Sequence, residues 1–203
     1  MESMPSTGTS DPMLTDRRVA VGLSGGIACY KVATLVSRLV QCQAQVRVVM
    51  TDSAARFIGP LTLQSLSGRP VLGSIWQVDA QPEAEHISLA RWCELLIIAP
   101  ASANTISRIT HGISDNVVTL VAAALPRSTP LLLAPAMNED MWANPITRRN
   151  LESLEQTLGV VTVGPESGWQ ACRTSGPGRM SEPEKIFEQA IKLLDSKSEH
   201  VQT

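Results

Sequence analysis

Apolar positions along the chain fall into two alternating patterns. Short runs, most of them continuously apolar, occur at Val19–Leu23, Val46–Met50, Leu95–Ala99, Leu131–Ala134 and Val160–Val163. Runs without polar alternation fit strands covered on both faces of a parallel sheet. After the first run, Ala28, Val32, Leu35 and Leu39 recur at helical spacing, and Val36 and Val40 widen the stripe. A second helix is predicted over Thr105–His111, with Asn104 as its cap and Gly112 just past its end. A third is predicted over Asn116–Leu125, stopped by Pro126. The last opens at Ser181-Glu182-Pro183-Glu184, a capping box with proline near the first helical position. Its buried face would be Ile186, Phe187, Ala190, Ile191 and Leu194. Five strand–helix alternations predict an α/β fold: a Rossmann-like or flavodoxin-like doubly wound parallel sheet, in a single domain over 17–195. Residues 1–16, rich in Ser, Thr, Pro and Asp, read as a disordered leader, and 196–203 as a flexible tail.

Composition narrows the class. The 203 residues are 43% hydrophobic and 18% charged, with a formal net charge of −2. Lys and Arg never cluster beyond two adjacent residues, so the basic footprint expected for nucleic acid or anionic lipid is missing. No apolar stretch approaches the roughly 18–20 residues that span a bilayer, and the N-terminus carries no signal-peptide pattern. Cys29, Cys42, Cys93 and Cys172 form no CxxC pair, which speaks against a zinc knuckle or a thioredoxin-type motif. A cytoplasmic protein with free thiols is expected.

Doubly wound sheets bind ligands at the carboxyl ends of their strands, so the loops there carry the chemistry. After the first strand, Gly22-Leu23-Ser24-Gly25-Gly26-Ile27 lets a phosphate approach backbone N–H groups at a helix start, although a tight turn without ligand fits equally well. After the second, Thr51-Asp52-Ser53 can cap a helix or bond a phosphate. After the third, Ser102-Ala103-Asn104-Thr105 forms another candidate anion nest. One phosphate-bearing cofactor would explain all three. After the fourth, Met137, Asn138, Met141 and Trp142 open a helix, either as a site or as a hydrophobic staple. The fifth leads into a long Gly/Pro loop, 168–180, that holds Cys172 and reads as a lid. His86 opens a predicted helix over Glu85–Ala90; it is either surface furniture or a proton-transfer group.

The segments SGGIACYK, MTDSAARFI, HISLARW, PASANT, GISDN, PAMNEDMW and GWQACRTSGPGRM resemble the homo-oligomeric flavin-containing cysteine decarboxylases. Within that group they are most similar to the decarboxylase half of the bacterial coenzyme A biosynthesis flavoprotein. The similarity runs from about Arg17 to Leu194. It implies a homo-oligomer, trimer or dodecamer, with FMN at the subunit boundary. It also implies FMN-dependent decarboxylation of 4'-phosphopantothenoylcysteine to 4'-phosphopantetheine. By the same resemblance Gly25, Gly26, Ile27, Thr51, Ser53, Ser102, Ala103, Asn104, Thr105 and Met137 would bind FMN. Asn138, Gln170, Ala171 and Arg179 would bind substrate, with Asn138 on its carboxylate. His86 would be the base and Cys172 the proton donor. Arg173 departs from the family, which usually carries glycine there, so the turn after Cys172 is left open. The ligase that makes the substrate is expected to be a separate protein or a part outside these residues.

Three other readings share parts of this pattern. A peptidyl-cysteine decarboxylase shares the flavin and asparagine motifs but not the GPGRM loop. A flavin prenyltransferase needs neither the asparagine nor the cysteine. A non-catalytic FMN-binding regulatory subunit would not need His86 and Cys172.

Overall fold

A computed structural model describes residues 14–73 and 85–200. The strands β1 (Arg18–Leu23), β2 (Gln45–Met50), β3 (Leu95–Ala101), β4 (Leu131–Pro135) and β5 (Val161–Thr162) pair in the order β2-β1-β3-β4-β5, all parallel. That is the flavodoxin-like order, and it reverses between β1 and β3. Connecting segments form α1 (Cys29–Gln41), α2 (Asp52–Ala55), α3 (Pro60–Ser67), α4 (Glu85–Trp92), α5 (Ala103–Thr110), α6 (Val117–Ala123), α7 (Glu139–Ala143), α8 (Pro145–Leu158) and α9 (Pro183–His200).

Successive strand residues point to opposite faces, so the sheet divides the core in two. On one face Val19, Val21, Val48 and Ile97 pack with Val32, Leu35 and Leu39 of α1 and with Ile186, Phe187 and Leu194 of α9. On the other, Ala20, Val49, Leu96 and Ile98 pack with Leu89 of α4, Val118 and Val121 of α6, and Leu151 of α8. Every residue of β3 is buried, which is why its sequence is continuously apolar. Its register with β4 slips between Ile98 and Ala101, where Pro100 has no N–H for the ladder.

Helix boundaries follow hydrogen bonds that spacing alone places less well. Helix α5 starts at Ala103 because the Ser102 hydroxyl, not Asn104, caps it by accepting the Thr105 N–H at 3.3 Å. Asn116 caps α6 in a reciprocal box with Thr119. The expected Ser181 cap of α9 is replaced by Glu182, whose carbonyl accepts the Ile186 N–H at 3.3 Å, while Ser181 is buried. Leu14, inside the expected leader, is buried and donates its N–H to Cys42 O at 2.7 Å. Residues 1–13 of that leader and residues 201–203 lie outside the described residues, and α9 continues through 196–200.

The largest difference lies after β5. The expected loop contains an antiparallel hairpin, β6 (Glu166–Trp169) and β7 (Ser175–Arg179), with Trp169 opposite Ser175. Its tip is closed by Gln170 N–H to Thr174 O at 2.8 Å and Arg173 N–H to Gln170 O at 2.9 Å. Arg173 adopts the left-handed conformation, φ 65°. The turn therefore survives without glycine, at a cost of order 1 kcal/mol for an L side chain in that region.

Ile97 is fully buried at the sheet centre. Ile97→Ala should lower stability by about 2–5 kcal/mol, measured by urea unfolding; a loss under about 1 kcal/mol would contradict this packing.

Candidate functional site

The strand order reverses between β1 and β3, and the loops after β1, β2, β3 and β4 meet at that edge. Two adjoining cavities open there. The first, about 520 Å³, is lined by Gly25, Thr51, Ser53, Ser102, Ala103, Asn104, Thr105 and Met137. The second, about 400 Å³, is lined by Gly26, Ile27, Met137, Asn138, Gln170, Ala171, Cys172 and Arg179. Ala136 and Met137 border both. Of the residues given a cofactor, substrate or catalytic role from the sequence, His86 alone lines neither.

Two loops of the first cavity, those after β1 and β3, are pinned together by Ser24, which is buried. Its hydroxyl donates to Pro100 O at 2.6 Å and accepts the Ser102 N–H at 2.9 Å. A Cβ on Gly25 would sit 2.5 Å from Ser53 Cβ, so glycine lets the first two loops touch. The N-terminus of α5 opens into this cavity, where unpaired N–H groups and the helix dipole favour an anion. Arg108, Asp115 and Asn116 also line it, although none of them has a site role on sequence grounds; Asp115 and Asn116 stand in the GISDN segment and Asn116 is the predicted start of a helix. Arg108 donates to Asn104 Oδ1 at 3.1 Å and ion-pairs with Asp115, so its charge is balanced locally. The polar groups left for an anion are the helix end and the hydroxyls.

The second cavity exists because the hairpin docks on the end of β4. Met137 N–H donates to Gly178 O at 2.9 Å. Gly178 has φ 132°, and a Cβ there would overlap Met137 O; one on Gly176 would overlap the Glu139 carboxylate. Gln170 ties the contact from within. Its Nε2 donates to Gly176 O at 3.1 Å and Pro177 O at 2.9 Å, and its Oε1 accepts the Glu139 N–H at 3.2 Å. The Gln170 amide, expected among substrate contacts, is thus engaged by the protein itself.

The root of the hairpin is stapled by charge. Arg179 pairs with Glu182, and buried Lys31 of α1 donates to Glu182 Oε1 and Met180 O, both at 3.0 Å. Glu166 pairs with Lys185 of α9 at 2.9 Å. The Lys185 hydrogen bond holds the Glu166 carboxyl below its ordinary value, against an opposing effect of burial.

Asn138 caps α7, its Oδ1 accepting the Met141 N–H at 2.9 Å. That bond fixes the amide orientation and leaves its NH₂ as the donor end. Cys172 is exposed at the hairpin tip, its Sγ 3.5 Å from Gln170 Oε1 and 3.0 Å from Thr174 Oγ1. The other three cysteines are buried, and burial pushes the Cys29 thiol up. His86 is half-buried in the first turn of α4, a helix that packs through Leu89 and Ala90 beneath the sheet face holding α6. Among the described residues no acidic, His or Cys cluster could hold a metal, and no helix is long and apolar enough to cross a membrane.

A family model described as Flavoprotein matches residues 7–195. The chain belongs to the flavoprotein family. It is 46% identical over 174 residues to the coenzyme A biosynthesis bifunctional protein CoaBC of Haemophilus influenzae, covering 86% of this chain and 43% of that protein. It is 42% identical over 180 residues to the Bacillus subtilis protein of the same name, covering 89% and 44%. The chain therefore spans less than half the length of these relatives. Among solved structures it is similar to a cysteine-to-serine mutant of PPC decarboxylase complexed with pantothenoylaminoethenethiol, with TM-score 0.79 and 35% identity, covering 89% of this chain and 99% of that one. The FMN binding protein AtHal3 gives TM-score 0.77 and 35% identity, covering 89% and 98%.

Gly178→Ala should push the hairpin off β4 while leaving the sheet intact. The Met137 amide should then exchange with solvent at least about tenfold faster, with the β3 amides unchanged, as expected of local opening. Equal exchange at Met137 would show that the glycine contact does not hold the hairpin.

Proposed function

We propose that the chain is an FMN-dependent decarboxylase converting 4'-phosphopantothenoylcysteine to 4'-phosphopantetheine in coenzyme A biosynthesis. One observation carries the reading: a phosphate-friendly cavity and a cavity ending in an asparagine amide and an exposed thiol share the Met137 wall. The similarity to CoaBC proteins and to a solved PPC decarboxylase supports the same substrate.

The first cavity fits FMN by size and donor set. Its 520 Å³ lies in the range of cofactor sites. The α5 N-terminus with Ser102 and Thr105, joined by Thr51 and Ser53, would hold the phosphate. Gly25, Gly26 and Ile27 would lie against the ring system, and Met137 would face it from the β4 side. Flavin held there would supply reversible hydride acceptance, so that oxidation of the substrate's cysteine CH₂–SH creates the electron sink that loss of CO₂ needs.

The protein's own groups bind and move protons. The Asn138 NH₂ would hold the substrate carboxylate until it leaves as CO₂. His86 would take a proton in the oxidative half, and Cys172 would give one to the substrate carbon in the reductive half. His86 lines neither cavity of its own chain, so it would reach the site from a neighbouring copy. Ile27 and Tyr30 at the cavity edge are 58% and 62% exposed, apolar surface that such a copy would cover. The proposed assembly is a homotrimer, or a dodecamer of four trimers. Free thiols suit the reducing cytoplasm as its location.

The purified protein should be yellow, release a chromophore with the mass of FMN on heating, and liberate CO₂ from 4'-phosphopantothenoylcysteine. Released FAD, or no CO₂ from flavin-loaded protein, would contradict the reading. His86→Asn should stay yellow and lose turnover by at least about 10²-fold, the scale of a general acid–base group; retained turnover would remove His86 from the mechanism. Asn138→Asp places a negative charge against the substrate carboxylate, so saturation by substrate should fail in a binding assay while flavin is retained. Unchanged affinity would mean the carboxylate is held elsewhere.

A further inference from the structure

The hairpin tip gives Cys172 a partner that the proposed chemistry has not yet used. A thiol has one hydrogen, and Gln170 Oε1, at 3.5 Å, can only accept it. The orientation of that amide is fixed, because its Nε2 donates to Gly176 O and Pro177 O. With its hydrogen directed at Gln170, Sγ meets Thr174 Oγ1 at 3.0 Å as an acceptor, so the Thr174 hydroxyl is the donor. The turn that brings them together is closed by Gln170 N–H to Thr174 O and by left-handed Arg173.

We propose that Thr174 is a positioning residue that stabilises Cys172 as the thiol gives up its proton; this rests on the decarboxylase reading above. In the reductive half the enethiol carbon–carbon double bond takes a hydride from reduced flavin at the sulfur-bearing carbon. The neighbouring carbon takes a proton from Cys172. The S–H bond breaks, a C–H bond forms, and the electron pair stays on Sγ as a thiolate. A hydroxyl already donating to that sulfur holds the new charge without rearrangement, and its bond strengthens when the acceptor is charged. Gln170 Oε1, an acceptor, offers the thiolate nothing. Of the two side chains hydrogen-bonded to Cys172, Thr174 is thus the one that favours the charged product of proton transfer.

Two measurements on the flavin-loaded enzyme test this, each with Thr174→Val, which removes the hydroxyl but keeps the shape, and with Thr174→Ser, which keeps the hydroxyl. In anaerobic single turnover with 4'-phosphopantothenoylcysteine, Thr174→Val should bleach the flavin at the wild-type rate. Recovery of colour should be about tenfold slower, the factor expected from one hydrogen bond to a charged group. Independently of turnover, iodoacetamide should label Cys172 about tenfold more slowly in Thr174→Val at neutral pH; the other cysteines are buried and do not interfere. Thr174→Ser should restore wild-type values in both. Unchanged recovery and labelling in Thr174→Val would overturn the proposal. So would a Thr174→Ser variant as slow as Thr174→Val, which would place the effect in methyl packing. Should the wild type never bleach, the decarboxylase reading is what fails, and the labelling rates still decide for or against Thr174.

Discussion

The close approach of one hairpin to the end of one strand is the constraint on which the site depends. Met137 N–H reaches Gly178 O only because residue 178 carries no side chain, and a Cβ there would enter the space of the Met137 carbonyl. Without that contact the second cavity has no far wall. Asn138 would then cap a short helix at an open surface, and Cys172 would be a thiol on a loose loop. The hydrogen bonds of Gln170 and the ion pairs of Lys31, Arg179 and Glu182 all serve the same closure. Gln170 ties the hairpin to α7, and Lys31 and the Glu166–Lys185 pair tie it to α1 and α9, two helices packed on the sheet.

The other half of the site rests on the sheet itself. A parallel sheet delivers its loops to one edge, and the reversal between β1 and β3 leaves a gap there. Ser24 bridges that gap by joining the loop after β1 to the loop after β3, and the missing side chain of Gly25 lets the loop after β2 close in. The proposed flavin phosphate would meet a helix end and hydroxyls, since Arg108 is already balanced by Asp115. Binding would then depend on oriented dipoles more than on net charge. The same preference for satisfied charge recurs at Arg179, whose guanidinium serves Glu182.

Legibility in the sequence follows the length of the pattern. Strands β1, β3 and β4 are readable because burial on both sheet faces forces continuous apolar runs, and Ile97 has no polar alternative. The small-residue loops at Gly25, Thr51 and Ser102 were readable in place, and their agreement at one edge pointed to a single phosphate-bearing ligand. The hairpin was not readable as strands: Ser175-Gly176-Pro177-Gly178 has neither alternation nor β propensity, and its pairing is held by Gln170 and by charges far away in the chain. The helix caps were off by a residue or two where a neighbouring hydroxyl won the N–H, as Ser102 did over Asn104. His86 was noticed, yet nothing in one chain shows what it faces. The roles of Ser24 and Lys31 are not legible in their segments, because a buried serine or lysine declares itself only through its partners.

The central claim is that the hairpin thiol completes a flavin-dependent decarboxylation. Cys172→Ser tests it most directly, because a hydroxyl is a far weaker acid than a thiol. Mixed without oxygen with 4'-phosphopantothenoylcysteine, the flavin-loaded variant should release CO₂ and bleach, then stay bleached with an unsaturated enethiol product. A variant that recovers its colour at the wild-type rate, or a flavin that never bleaches, would contradict the account.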